Sequence, residues 1–505
     1  MLTLATLLIA LSAVLSKKLT PRKTLAWLLT TVVGFSLFLV GFYFFADSFT
    51  DAGIDESVIF HLAADMGGAD LAAFWPQILG ITAFLILLSL LIWRVAHASM
   101  DKELHRTRWW RYGATMLLPV AAIGVNPGTQ DLLHLYRTDS LPVSFLSDPS
   151  LATEKPQSLM TPDQANLDQK PNFVYLYLES VERSYLDEAH FPGLMPNLKR
   201  LEQQALTFTN IAQAPGTGWT IAGMVASQCG IPLITPPDGG NSMGGLIGNF
   251  LPKATCLGDL LKPEGYHLEF IGGAELKFAG KGDFYQSHGF SKVSGFDELS
   301  PLLEDKSYRN GWGLYDDTLL EITKQRFNAL SKQKQPFGLV ALTLDTHHPS
   351  GHISNFCQNK LYGNGENSIL NSVHCTDEMV GKFIDYLTSH EAFQNTRVII
   401  ASDHLAIRNA AWERLMAVKQ RRNTFMVLAN DLPATRVNRP GTTLDIAPTL
   451  LSLLSSPVQA MGFGRNLLND KIVPIEKETG HSLKQNLENA NRYLRSLWHY
   501  PDFRN

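Results

Sequence analysis

Three apolar runs in this chain end on groups that bind metals or move protons. Phe173-Val174-Tyr175-Leu176-Tyr177-Leu178 runs into Glu179, Leu339 to Leu344 runs into Asp345-Thr346-His347-His348-Pro349, and Val398 to Ser402 runs into Asp403-His404. A hard carboxylate beside a borderline imidazole suits Zn²⁺ or Mn²⁺. Taken singly, each acid or histidine is also an ordinary turn residue; the repetition at three strand-like runs favours a shared centre. Such a centre needs a nucleophile. Pro215-Gly216-Thr217-Gly218-Trp219-Thr220 is a glycine-broken loop leading into Ile221 to Gln228, which reads as a short helix. A hydroxyl at a helix start lies among free N–H groups at the positive end of the dipole, where a phosphate is also favoured. Coordination to a metal would lower its pKa and generate an alkoxide. Thr220 and Thr217 both stand there, and either could instead simply cap the helix.

The elements that must position these groups follow from the same runs. Six apolar or aromatic residues without polar alternation predict a strand buried on both faces, as inside a parallel sheet covered by helices. Further strands are predicted at Leu268 to Ile271, Phe337 to Leu344, Arg397 to Ala401 and Thr424 to Leu428, with a helix at Cys256 to Leu261. This alternation from Asn172 onward predicts an α/β domain with a mostly parallel sheet flanked by helices. Ligands bind at the carboxyl edge of such sheets, where Glu179 falls.

The chain has 505 residues, 45% hydrophobic and 18% charged, with net charge −4. That length exceeds one compact domain. The balance excludes a general nucleic-acid binder, because no basic stripe appears beyond the first 111 residues. Leu2 to Leu15, Leu25 to Ala46, Phe74 to Trp93 and Tyr112 to Val125 are apolar, which predicts about four membrane helices within residues 1–127. Lys17, Lys18, Arg22 and Lys23 fill the first connection and Arg94, Lys102, Arg106, Arg108 and Arg111 the third; the second holds Asp47, Asp51, Asp55, Glu56, Asp65 and Asp70. The positive-inside rule then puts both termini outside the cytoplasm. Residues 128–171 read as a linker with a short helix at Asp131 to Tyr136, and 172–505 as the α/β domain. All four cysteines lie in that last part, as expected for disulfides in an oxidising compartment. Pairing Cys229 with Cys256 and Cys357 with Cys375 closes the shortest loops.

Tyr177 to Ser180, Pro215 to Met224, Asp345 to Pro349, Ser402 to His404 and Thr443 to Leu450 closely resemble the phosphoglycerol transferase I family of osmoregulated periplasmic glucan synthesis, in the sulfatase-like branch of the alkaline phosphatase superfamily. The resemblance covers roughly Asn172 to Asn466. It implies that Thr220 is a covalent nucleophile, and that Glu179, Asp403 and His404 join it around one divalent metal, Mn²⁺ foremost with Zn²⁺ or Mg²⁺ as alternatives. It further implies that His347 contacts substrate or leaving group, and that His348 and Lys281 bind substrate. Lys281 lies near the position of a phosphate-binding arginine in lipoteichoic acid synthases. The implied donor is phosphatidylglycerol and the acceptor a periplasmic glucan, with no obligate protein partner and the α/β domain held outside the inner membrane. A lipoteichoic-type polymerase or phosphoethanolamine transferase would share this core with another donor or acceptor. A sulfatase or phosphodiesterase would use water, and a sensor would keep the fold but lack the metal. No Cys or Ser followed by x-Pro-x-Arg is present, so no formylglycine precursor stands at the nucleophile.

Overall fold

The computed structural model describes residues 1–16, 23–50, 53–63, 75–98, 109–137, 154–234 and 250–498. Of the charged connection residues, Lys17, Lys18, Arg22, Asp51, Asp65, Asp70, Lys102, Arg106 and Arg108 lie outside the described residues, as does the 138–153 part of the expected linker.

The chain divides into two compact units. The first, residues 1–59 and 74–141, is helical: α1 Leu2–Ser16, α2 Lys23–Thr50, the start of α3 Glu56–Ala63, α4 Trp75–Ala98, α5 Trp109–Val125 and α6 Pro127–Arg137. Helices α1, α2, α4 and α5 coincide with the four apolar segments. The helix expected at Asp131 to Tyr136 is α6, which belongs with this unit and not with a free linker. Helices α1 and α5 pack along one another, and Ser36 Oγ of α2 donates to the Pro119 carbonyl of α5 at 3.0 Å. Although α2 has 28 residues and α4 has 24, no helix among the described residues is long and apolar enough to cross a membrane.

The second unit is built on an eight-stranded sheet. Its strands are β1 Asn172–Leu178, β2 Leu206–Phe208, β4 His267–Gly272, β5 Lys292–Ser294, β6 Phe337–Leu342, β7 Thr396–Ser402, β8 Phe425–Leu428 and β9 Thr435–Val437, while β3 Ile211–Ala212 pairs separately with β10 Gly441–Thr442. The order is β5-β4-β6-β1-β7-β8-β2-β9. Strands β5, β4, β6, β1 and β7 run parallel, β8 is antiparallel to both neighbours, and β9 is parallel to β2. The mostly parallel sheet is therefore present, with one reversed strand that an apolar run alone does not reveal.

Strand β1 sits at the centre because its side chains are apolar on both faces. Phe173, Tyr175 and Tyr177 enter one core with the helices Thr220–Cys229 and Ile446–Leu453; Val174, Leu176 and Leu178 enter the other with Asp316–Ser331 and Ser368–Ser389. Leu159, Ala165 and Leu167 join the first core, so the end of the expected linker is packed against the sheet domain. Both expected disulfides, Cys229–Cys256 and Cys357–Cys375, are formed.

Candidate active site

Strand polarity brings the predicted groups to one edge. Glu179 follows β1 and Asp403-His404 follow the adjacent parallel β7, so both strands deliver their acids at the carboxyl end. Glu179, Asp403 and His404 are buried, and one ligand atom of each lies within 4.8 Å of the others. His404 Nε2 is 3.5 Å from Glu179 Oε1 and 3.3 Å from Asp403 Oδ2. The ring's other nitrogen, Nδ1, donates to the Leu405 carbonyl at 2.7 Å, which turns Nε2 toward the carboxylates.

Backbone amides hold the acids in place. Asp403 Oδ1 accepts from the N–H groups of Ser180 at 2.9 Å and His404 at 2.8 Å, while Oδ2 is buried without a hydrogen-bond partner. Glu179 donates its N–H to Thr343 Oγ1, and its carbonyl accepts from Thr346 Oγ1. Ser180 Oγ donates to Glu179 Oε1 at 2.9 Å. Three residues beyond Glu179, the buried Glu182 accepts from Ala406 N–H at 3.0 Å and pairs with Arg421, tying the segment after β1 to the segment after β7. Sequence reasoning missed Thr343, Thr346, Ser180 and Glu182; the adjacency of the two threonines and Ser180 to the strand-end acids was the available signal.

The charge balance of the cluster is unfavourable as it stands. Burial and the charge of Glu179 push the Asp403 carboxyl up to about 8. Burial opposes the charge on Glu179 too, yet its hydrogen bond with His404 and the charge of His347 hold it below the usual carboxylate range. Burial also works against a charged His404, but Asp403 and Glu179 outweigh it and raise the imidazole to about 9. Two buried carboxylates thus compete for positive charge. A carboxylate oxygen, Asp403 Oδ2, without a hydrogen bond, an imidazole turned inward and two buried acids fit one divalent cation.

The hydroxyl beside this cluster at the helix start belongs to Thr220. The helix Thr220–Cys229 has Trp219 at its N-cap, with Thr220 in the first helical position, and Thr220 Oγ1 lies 3.3 Å from Glu179 Oε2. Thr217 is placed differently: it is buried, donates to the Ala214 carbonyl at 2.7 Å and meets Thr443 Oγ1 at 3.1 Å. Its hydroxyl holds the loop. The helix can approach β7 this closely because Gly223 has no side chain; a Cβ there would lie 1.9 Å from the Asp403 carbonyl oxygen. Gly223→Ala must therefore push the helix away from the ligand-bearing strand end. It is expected to cost about 1–3 kcal/mol of stability, as overpacking does, and to lower turnover at least tenfold; unchanged thermal unfolding and turnover would show that the contact is not needed.

His347 and Lys281 complete the surround. His347 Nδ1 contacts the His348 carbonyl at 2.8 Å, its ring packs on Trp312 with centroids 4.1 Å apart and on His348 at 4.7 Å, and burial lowers its pKa. Trp312, on a loop, carries no signal in the sequence. Lys281 is buried, donates to the Phe278 carbonyl at 2.9 Å, and is lowered to about 8 by burial against the opposing charges of Glu179 and Asp403. The acid–histidine group of Cys256, Asp259 and His288 is not equivalent, since Cys256 is in a disulfide.

Known proteins resemble the chain in two regions. Residues 171–456 match the Sulfatase family model, and residues 1–141 match the model for the Phosphoglycerol transferase I N-terminal domain. The chain is 37% identical to Phosphoglycerol transferase I of Xanthomonas campestris pv. campestris over 98% of this chain and 69% of that protein. It is 36% identical to the Escherichia coli protein of that name over 93% of this chain and 60% of that one. The chain thus spans roughly two thirds or less of the length of these curated relatives. A lipoteichoic acid synthase from Listeria monocytogenes is similar at 17% identity, over 66% of this chain and 81% of that one, with a TM-score of 0.48. From its two matched regions and its identity along nearly all of its length, the chain belongs to the phosphoglycerol transferase I family.

Proposed function

We propose that the chain transfers a phosphoglyceryl group from phosphatidylglycerol to a hydroxyl of a periplasmic glucan through a covalent Thr220 intermediate. The convergence of Thr220, at a helix start, with Glu179, Asp403 and His404 carries this reading. Those four residues would hold one divalent cation, Mn²⁺ in the first instance with Zn²⁺ or Mg²⁺ as alternatives. When bound, such an ion acidifies a hydroxyl and offsets phosphoryl charge.

The residues then divide the work. Thr220 Oγ attacks the phosphorus, the bond to the diacylglycerol oxygen breaks, and glycerophospho-threonine forms. His347 Nδ1 donates to the His348 carbonyl, so its Nε2 is free to take the proton that the Thr220 hydroxyl loses and pass it to the departing diacylglycerol oxygen. In the second step Nε2 takes the proton of the glucan hydroxyl, that oxygen attacks phosphorus, the bond from phosphorus to Thr220 Oγ breaks, and the proton passes to Oγ to regenerate the hydroxyl. Lys281 supplies a buried cation for the phosphoryl oxygens, and His348, stacked on His347, lines the substrate side. Incubation with labelled phosphatidylglycerol and candidate glucans tests the reading; label appearing only in glycerophosphate, or only from phosphatidylethanolamine, would contradict it.

A lipid donor suits a membrane anchor. The exposed Phe35, Phe38 and Phe44 of α2 and Leu85 and Leu87 of α4, the basic, acidic and basic connections and the two disulfides support an inner-membrane chain with its α/β domain in the periplasm. Reporter fusions after Ser48 and after Asp148 are expected to behave as periplasmic. A cytoplasmic signal at the second would reverse the compartment.

A further inference from the structure

A second concavity opens on the same edge of the sheet as Thr220. Its volume is about 310 Å³, within the range of roughly 300–1,000 Å³ usual for small-molecule sites. Strand polarity fixes its location. Arg183 follows β1, Thr209 and Asn210 follow β2, Gln420 and Arg422 precede the reversed β8, and Asn438 follows β9, so every one of them stands at the carboxyl edge. Strand β2 is two places from β7 in the sheet, about 10 Å at the usual strand spacing. The chain that leaves the cleft at Asn210 runs on to Thr220, and on the way Gln213 Oε1 accepts from Leu405 N–H, beside His404.

The lining is largely polar and carries charges of both signs. Arg183 pairs with Glu202, which also takes Arg436 at 3.0 Å, and Asp187 on the lining is engaged by His190 at 2.8 Å. Arg422 donates to Asn210 Oδ1 and, at 3.3 Å, to Gln420 Oε1. Thr209 Oγ1 donates to Asn438 Oδ1 at 3.0 Å. Amides, a hydroxyl and guanidinium groups already engaged by acceptors of the chain suit vicinal hydroxyls better than an anion. We infer that this cleft binds a neutral, polyhydroxylated acceptor, holding the sugar units next to the hydroxyl that receives the phosphoglyceryl group. The inference rests on the transferase reading and adds where its acceptor lies.

The test uses the full chain in detergent with linear glucose tetrasaccharides of β-1,2, β-1,3 and α-1,4 linkage as probes. Gln420→Ala/Asn438→Ala removes two exposed amides outside the Thr220 cluster. Saturation-transfer NMR should show at least one tetrasaccharide bound by the wild type and bound at least tenfold more weakly by the double variant. Release of diacylglycerol from phosphatidylglycerol, the first half-reaction, should be unchanged in the variant, while the acceptor KM rises at least tenfold. Equal binding by both proteins, no tetrasaccharide binding by the wild type, or equal loss of diacylglycerol release and acceptor use would overturn the assignment. Failure of the wild type to release diacylglycerol at all would instead refute the transferase reading, whatever the tetrasaccharides do.

Discussion

Thr220→Ala is expected to reduce phosphoglyceryl transfer to below about one thousandth of the wild-type rate, since it removes the group that forms the covalent intermediate. Ser180 Oγ, which also meets the Glu179 carboxylate, is buried and committed to that bond, so it offers no substitute. The fold should survive. Thr220 is half-buried at the first helical position and Trp219 occupies the cap, so stability should change by less than about 1 kcal/mol. Thr217→Ala is expected to show the reverse pattern. Its buried hydroxyl bonds to Ala214 and meets Thr443, so removal should cost about 1–2 kcal/mol yet leave substantial turnover. Thermal unfolding and turnover measured on both variants separate a nucleophile from a loop-holding residue; turnover retained in the first and abolished in the second would exchange the two roles.

Asp403→Asn is expected to abolish binding of the divalent ion with little damage to the protein. The substitution keeps Oδ1, which accepts from Ser180 and His404, and alters only Oδ2, which has no hydrogen-bond partner. It also removes a buried negative charge next to Glu179, so the metal-free variant should be at least as stable as the metal-free wild type. Added Mn²⁺ at one hundred times its Kd should stabilise the wild type by about 2.7 kcal/mol, and the variant by much less. Equal Mn²⁺-dependent shifts in thermal unfolding would remove Asp403 from the ligand set.

The site was legible in the sequence because parallel strands repeat one pattern. Glu179 and Asp403 each close an apolar run, and once β1 and β7 are neighbours in parallel their ends must meet. Short strands were not legible: β5 and β9 have three residues each with exposed positions, so they make no apolar run. The direction of β8 was hidden as well, since Phe425 to Leu428 is buried throughout and reads the same either way. Trp312 reaches His347 from a loop, and the need for glycine at 223 arises from the Asp403 carbonyl, far away in sequence. Such contacts depend on tertiary approach and leave no local periodicity. The resemblance already favoured Thr220 over Thr217, and the side-chain directions set the two hydroxyls apart.

The central claim is the covalent role of Thr220 beside the Glu179, Asp403 and His404 cluster. Acid-quenched mixtures of the full chain with phosphatidylglycerol and Mn²⁺, digested and sequenced by mass spectrometry, test it most directly. A phosphoglyceryl adduct on Thr220 that disappears when glucan is added is the predicted result. An adduct on Thr217 or another residue, or sustained transfer to glucan with Thr220 never modified, would contradict it.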